Sequence, residues 1–310
     1  MPELPEVETI RRQLAPRVSG RVFTSVEVLD DYFTKPIAPE AFRKEVEGRT
    51  LTGVERRGKY LVFRFLDRDA MVIHLRMTGS ILYLSPEGEA APGDARIYRA
   101  GDDRHLKARF GLDDGSEIRF TDPRRFGRGS VASPEELDLF FAERLGVEPL
   151  SNAFTTEALA GIVEGRTGPL KSFLLNQKGV AGMGNIYADE ALHRAALHPL
   201  SPGGSMKPEH HQALRDGIVA SLERGLELGG ASIDDYRDAE GDTGSMQEEF
   251  LVHLREGEDC LRCGTTIERI VVGGRSTYYC PGCQERLRRR PRRKKRSASG
   301  PSGARGTISQ

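Results

Sequence analysis

The chain has 310 residues, 37% of them hydrophobic, enough for about two domains that each bury a core. Its 46 Lys and Arg balance 46 Asp and Glu, and no apolar run approaches the roughly 20 residues of a membrane-spanning helix. A largely disordered chain and a membrane-spanning one are excluded, no charged-then-apolar signal segment opens the sequence, and a soluble cytoplasmic protein is expected.

The zero net charge hides an asymmetry. From Arg286 to Gln310 there are ten Arg or Lys and no acid, which leaves 36 basic against 46 acidic residues in the first 285. A basic tail of this kind serves an anionic partner or plain solvation. The acidic body runs against the basic balance usual in nucleic-acid binders, so the distribution of charge has to decide. All four cysteines lie beyond residue 259, which points to one local metal site and not to a disulfide framework.

In chain order, Pro5 suits the first residue of a helix, and Val7, Ile10 and Leu14 continue at helical spacing. Removal of Met1 would leave the secondary amine of Pro2 just ahead of the positive helix end. That position disfavours its protonated form and frees it as a nucleophile. Glu3 beside it can give or take a proton. The same residues also suit an acidic, proline-capped helix that merely packs.

Residues 20 to 135 read as strands: Arg21–Val28, Tyr60–Phe65, Met71–Leu75, Ile81–Leu84 and Glu117–Phe120. Glycine and Asp-Gly punctuation separates them, and Pro86–Asp103 reads as a mobile loop. An antiparallel sandwich is predicted. Lys59 falls on the apolar side of Leu61, Phe63 and Phe65, so it either snorkels outward or points into a cleft.

Beyond Ser133 helices are expected over 137–145, 155–162, 170–176, 185–197 and 208–228, with Gly146–Leu150 as the hinge into a second domain. Everything after Arg288 is low in complexity and is expected to be disordered.

Four motifs carry chemistry. Cys260-x2-Cys263 and Cys280-x2-Cys283 match a four-thiolate structural zinc site that presents the hairpin between the pairs. Arg275 at that hairpin's tip suits a groove or a phosphate, or is an exposed turn arginine. Gly179–Tyr187 is a glycine-rich turn with Asn185 as N-cap; it suits phosphate cradling or a tight helix–helix turn. Thr121–Arg128 sets Phe126 among three arginines, as a wedge in a groove or a core residue at a turn. Met77 is a second candidate wedge, or core.

Six stretches together resemble the formamidopyrimidine-DNA glycosylase family: Pro2-Glu3-Leu4-Pro5-Glu6-Val7-Glu8-Thr9, Gly58-Lys59-Tyr60-Leu61, His74–Gly79, Thr121–Gly127, Gly182–Glu190 and the zinc finger. The resemblance spans about residues 2 to 285, in order. It implies an α+β fold: an N-terminal antiparallel β-sandwich with an opening helix, a helical helix-two-turn-helix part, and a four-cysteine zinc-finger hairpin. The corresponding boundaries are 1–133, 134–235 and 236–287, with a basic tail over 288–310.

The resemblance further implies a monomeric base-excision repair enzyme without a nucleotide cofactor. Its partner is damaged double-stranded DNA, and its one Zn²⁺ is structural. The damaged nucleotide is rotated out of the duplex. Pro2 attacks C1′ and displaces an oxidised purine such as 8-oxoguanine or a formamidopyrimidine, and the Schiff base undergoes β,δ-elimination. Glu3 handles protons at the sugar and Lys59 contacts the lesion or its phosphate. Met77, Arg124 and Phe126 fill the vacated space, and Asn185 and Arg275 hold phosphates.

The chain departs from the family pattern in three places. Asp234-Asp235 stands where many relatives carry a basic residue in the lesion-capping loop. Gly168-Pro169 precedes Leu170-Lys171, and the tail past Arg286 has no counterpart. Two rival readings are an endonuclease-VIII-type glycosylase for oxidised pyrimidines and a non-catalytic damage-binding protein. A zinc-ribbon transcription factor fits the last quarter alone.

Overall fold

In the computed structural model, residues 1–87, 104–233 and 236–288 are described. Most of the loop expected over Pro86–Asp103, the Asp234-Asp235 pair and the basic tail past Arg288 lie outside them. The opening helix, α1 (Leu4–Val18), starts one residue before Pro5. Its Val7, Ile10, Leu14 and Val18 side chains are fully buried in a first hydrophobic core, each burial stabilising by roughly 1.5–3 kcal/mol. Leu4, one turn earlier, packs into a second core instead.

Two antiparallel four-stranded sheets enclose the first core. One is built from β1 (Phe23–Val28), β5 (Ser80–Leu84), β6 (Leu106–Leu112) and β7 (Glu117–Thr121), in the order β1-β6-β7-β5. The other holds β2 (Leu51–Arg57), β3 (Tyr60–Phe65), β4 (Ala70–His74) and β8 (Arg128–Ala132) in sequential order. In β3, Leu61, Phe63 and Phe65 face the first core while Val62 packs on Leu137. Helix α2 (Pro39–Val46) packs Phe42 and Val46 into the first core, and Leu137 belongs to α3 (Pro134–Arg144), so the second sheet is covered on both faces. The predicted sandwich is therefore the observed one.

Four predicted helices of the C-terminal half form as α4 (Thr156–Val163), α5 (Leu170–Leu174), α6 (Asn185–Arg194) and α7 (Pro208–Glu227). They surround the second core. The hinge expected at Gly146–Leu150 is a bonded segment: Gly146 N–H donates to Gln177 O (2.8 Å), and Val147 and Val180 bridge in parallel. A third, small cluster built on Val252, Ile267 and Tyr278 supports the last hairpin, β9 (Glu268–Val272) and β10 (Arg275–Tyr279). Gly273 and Gly274 make its two-residue turn, at φ 57° and 75°, a conformation that glycine alone adopts without strain.

One buried carboxylate ties the last segment to the helices. Glu190 of α6 is fully buried and accepts the backbone N–H of Leu251 (2.9 Å), Val252 (3.0 Å) and His253 (3.0 Å). Burial pushes its carboxyl above the usual range, against the pull of those three donors. Glu190→Ala would strand all three N–H groups at about 1–3 kcal/mol each. We expect its thermal midpoint, read by circular dichroism, to fall by roughly 6–12 °C.

Candidate active site and metal centre

The first residues are fixed by the other half of the chain. Leu4 N–H donates to Gly182 O (3.1 Å), and Glu3 N–H to Glu6 Oε2 (2.7 Å). The Glu3 carboxylate, 2% exposed, accepts Ile186 N–H at Oε1 (3.1 Å) and Tyr187 N–H at Oε2 (3.4 Å). Those N–H groups belong to the first turn of α6, whose positive end favours an anion. Gly184 allows the approach, because a Cβ there would lie 2.1 Å from Glu3 Cδ.

Of the two readings of the glycine-rich turn, this favours the tight helix–helix turn, because the Ile186 and Tyr187 N–H groups are taken by the chain's own Glu3. The helix cap is Gly184, and Asn185 is the first helical residue.

Behind Glu3 stands a second buried carboxylate. Glu6 Oε1 accepts Tyr187 Oη–H (2.7 Å) and Ala231 N–H (2.8 Å). Burial, and then the neighbouring Glu3, push its carboxyl above the usual range.

Pro2, Glu3, Met77, Arg124, Asn185 and Arg275 line one cleft of about 240 Å³. Lys59 lines an adjoining cavity of about 310 Å³ together with His74, Arg76, Arg144, Asn185 and Arg275. It is 6% exposed, so it points inward and does not snorkel. Burial pulls its ammonium below the usual lysine range; Glu3 and Glu6 oppose that shift and Arg275 adds to it. Burial, with Arg76 and Lys59, pulls His74 down to about 3.

Phe126 lines neither cavity. It is exposed on its turn with the Arg124 guanidinium 4.9 Å from the ring centroid, so it is not a core residue. Met77 too is exposed.

Residues outside the predicted set hold these side chains. Buried Asp122 accepts Thr78 Oγ1–H (2.5 Å) and Gly127 N–H (2.6 Å), which joins the loop of Met77 to the loop of Arg124 and Phe126. Lys171 is fully buried, 2.7 Å from Asp189 Oδ1, and donates to Ser276 O (2.9 Å) and Thr277 Oγ1 (2.8 Å). Asn185 Nδ2 donates to the same Ser276 carbonyl (3.0 Å). Two side chains thereby grip β10 one residue after Arg275. Glu148 accepts Gly58 N–H (2.6 Å) and pairs with Arg56 (2.8 Å), which fixes the turn that carries Lys59. An Asp-Pro turn and a lysine inside an apolar helix were the available signals for Asp122 and Lys171. Their partners lie too far along the chain for spacing to reveal.

The four cysteine sulfurs lie within 4.8 Å of one another, with Cys260–Cys283 at 3.7 Å and Cys263–Cys280 at 3.4 Å. A tetrahedron with Zn–S near 2.3 Å needs sulfurs about 3.8 Å apart, so the donor set and its size suit one structural zinc. Four thiolates leave no position for a reacting water. We expect one zinc per chain by atomic absorption. Cys280→Ser should lose that zinc and the hairpin's amide protection, while the amides of β3 and β6 exchange as before.

Three family profiles match the chain: the formamidopyrimidine-DNA glycosylase N-terminal domain over residues 1–129, the formamidopyrimidine-DNA glycosylase H2TH domain over 145–237, and the zinc finger found in FPG and IleRS over 257–286. A formamidopyrimidine-DNA glycosylase of Chloroflexus aurantiacus is 41% identical, covering 92% of this chain and 98% of its own length. One of Geobacillus kaustophilus is 42% identical, covering 92% and 100%. A Lactococcus lactis FPG mutant in complex with Fapy-dG-containing DNA superposes with a TM-score of 0.81 at 34% identity, over 92% of this chain and 100% of that one. The same enzyme with abasic-site DNA gives 0.80, also at 34% identity, over 91% and 99%. On these matches the chain belongs to the formamidopyrimidine-DNA glycosylase family.

Proposed function

We propose that the chain excises oxidised purines from duplex DNA through its N-terminal proline. The observation that carries this reading is the meeting of Pro2 and Glu3 in a cleft whose walls come from both hydrophobic cores. A base stacked in a duplex cannot reach such a site, so the damaged nucleotide is rotated out of the helix. After removal of Met1, the Pro2 nitrogen bonds to C1′ as the N-glycosidic bond breaks, and the base leaves with a proton. The C1′–O4′ bond then breaks, with a proton going to O4′, and the resulting iminium acidifies C2′–H; loss of the 3′- and then the 5′-phosphate nicks the strand.

Glu3 handles the proton at the sugar. Lys59, whose lowered basicity reflects its burial, contacts the lesion or its phosphate. Arg275 and Asn185 meet phosphates near the flip, although one Asn185 donor already serves Ser276. Met77, Arg124 and Phe126, all exposed and joined through Asp122, fill the space the nucleotide leaves. The protein acts as a cytoplasmic monomer with no nucleotide cofactor. The division into residues 1–133, 134–235 and 236–287 belongs to the same proposal; the first core draws mainly on residues before 133 and the second mainly on residues after it, with Met246, Phe250 and Leu287 of the last segment packed into the second.

A hydride reductant should trap a covalent adduct with an 8-oxoguanine duplex, and peptide mass analysis should find the bond on Pro2. No adduct, or one on an internal lysine, would refute the nucleophile. A faster reaction with an oxidised pyrimidine in the same lesion panel would shift the reading to the endonuclease-VIII type.

Gly184→Ala tests the Glu3 contact. The added methyl must push the carboxylate off α6. We expect base release to fall by about 100-fold or more, with binding to an abasic-analogue duplex within about threefold of the parent protein.

A further inference from the structure

The last turn of α6 carries a buried histidine that has no part in this scheme. His193 is 1% exposed, on a helix that packs Tyr187, Ala188, Ala191 and Leu192 into the second core. An imidazole so placed is costly unless a partner replaces its water. Its Nε2 lies 3.5 Å from Sγ of Cys260, one of the four zinc thiolates. Its Nδ1 has no hydrogen-bond partner among the described residues. Backbone contacts hold the two groups together. Arg262, inside the first Cys-x2-Cys pair, donates to His193 O (3.2 Å), and Cys260 N–H donates to Thr265 O (2.9 Å).

One tautomer suits these neighbours. A zinc-bound cysteine is a thiolate, which accepts hydrogen bonds and donates none. A bare Nε2 would set its lone pair against that sulfur and leave a hydrogen on Nδ1 with nothing to receive it. A hydrogen on Nε2 points at the thiolate and leaves only an unshared lone pair on Nδ1. We infer that His193 donates Nε2–H to the Cys260 thiolate and thereby slows loss of the zinc. Four thiolates more than neutralise one Zn²⁺. Cys260 is 3% exposed, so water does little to spread that excess at its sulfur, and the imidazole N–H takes over. Without this donor the sulfur is more basic, and a proton captures it more readily when the Zn–S bond opens. The exposed Cys263 differs, with solvent around it and the Thr265 hydroxyl 3.3 Å from its sulfur. Helix α6 thus seats Glu3 at one end and steadies the metal site at the other.

The test uses the full chain in its zinc form and has two readouts. Long-range proton–nitrogen NMR on the parent protein should find the His193 hydrogen on Nε2; a hydrogen on Nδ1 with Nε2 bare would overturn the assignment. Zinc loss to excess EDTA, followed by atomic absorption on the protein fraction, reads how firmly the metal is held. His193→Phe keeps an aromatic ring but no N–H, and should lose zinc about 10–100-fold faster than the parent. His193→Gln, whose amide brings an N–H to the same sulfur, should stay within about threefold of it. A ring that merely packs predicts the opposite order, with the phenylalanine variant near the parent and the glutamine variant faster. Parental zinc retention in His193→Phe, or loss from His193→Gln as fast as from His193→Phe, would therefore overturn the inference. If His193→Phe fails to fold, the parent's tautomer and the rate in His193→Gln decide it. Adduct trapping on Pro2 reads the glycosylase mechanism separately, so failure here would sink the role of His193 alone.

Discussion

The seating of the Glu3 carboxylate on the first turn of α6 is the contact on which the rest of the site depends. A carboxylate 2% exposed is costly to bury unless donors replace its water. Here the donors are two backbone N–H groups at the positive end of a helix from the other core. The contact therefore does two things at once. It makes burial of Glu3 tolerable, and it fixes the chain's first residues against the half that carries the zinc hairpin. Gly184 is the steric condition for both, since any side chain there would occupy the carboxylate's position.

Around this contact the protein concentrates charge where a core would ordinarily exclude it. Glu6, Lys59, Lys171, Asp189 and Glu190 are all buried within a few elements of Glu3. Each is offset in a different way: Glu190 by three amides, Lys171 by a carboxylate and two oxygens of the hairpin, Glu6 by a phenol and two N–H groups. Lys59 is the least compensated of these, with no hydrogen bond among the described residues and its basicity reduced accordingly. Such departures from a locally consistent core are expected where a site binds charge.

Much of this was legible in the sequence, for specific reasons. The Val7, Ile10 and Leu14 spacing, the alternation in Tyr60–Phe65 and the paired Cys-x2-Cys motifs are local patterns, and each maps directly onto α1, β3 and the thiolate tetrad. β2 was missed because a shift in its pairing between Leu51 and Gly53 leaves Leu51 and Val54 three residues apart, which hides the alternation. β8 was missed because its weak apolar signal includes Gly129, which lies under the Phe33 ring. β6 alternates regularly through Leu106, Ala108, Phe110 and Leu112 and could have been read. The occupant of the α6 N-terminus could not: Glu3 and Ile186 are 183 residues apart, and a free helix end looks the same in sequence as one already filled.

The two large cores also exchange parts. Leu4 leaves α1's own core to pack with Tyr187 and Leu222, while Tyr236 and Ala239 return from the far end of the helical half to complete the sandwich. A cut at residue 133 would therefore produce two fragments, each lacking side chains that fill its interior. The halves are expected to melt in a single transition despite their separate cores, and the interleaving makes them one folding unit with the cleft as its seam.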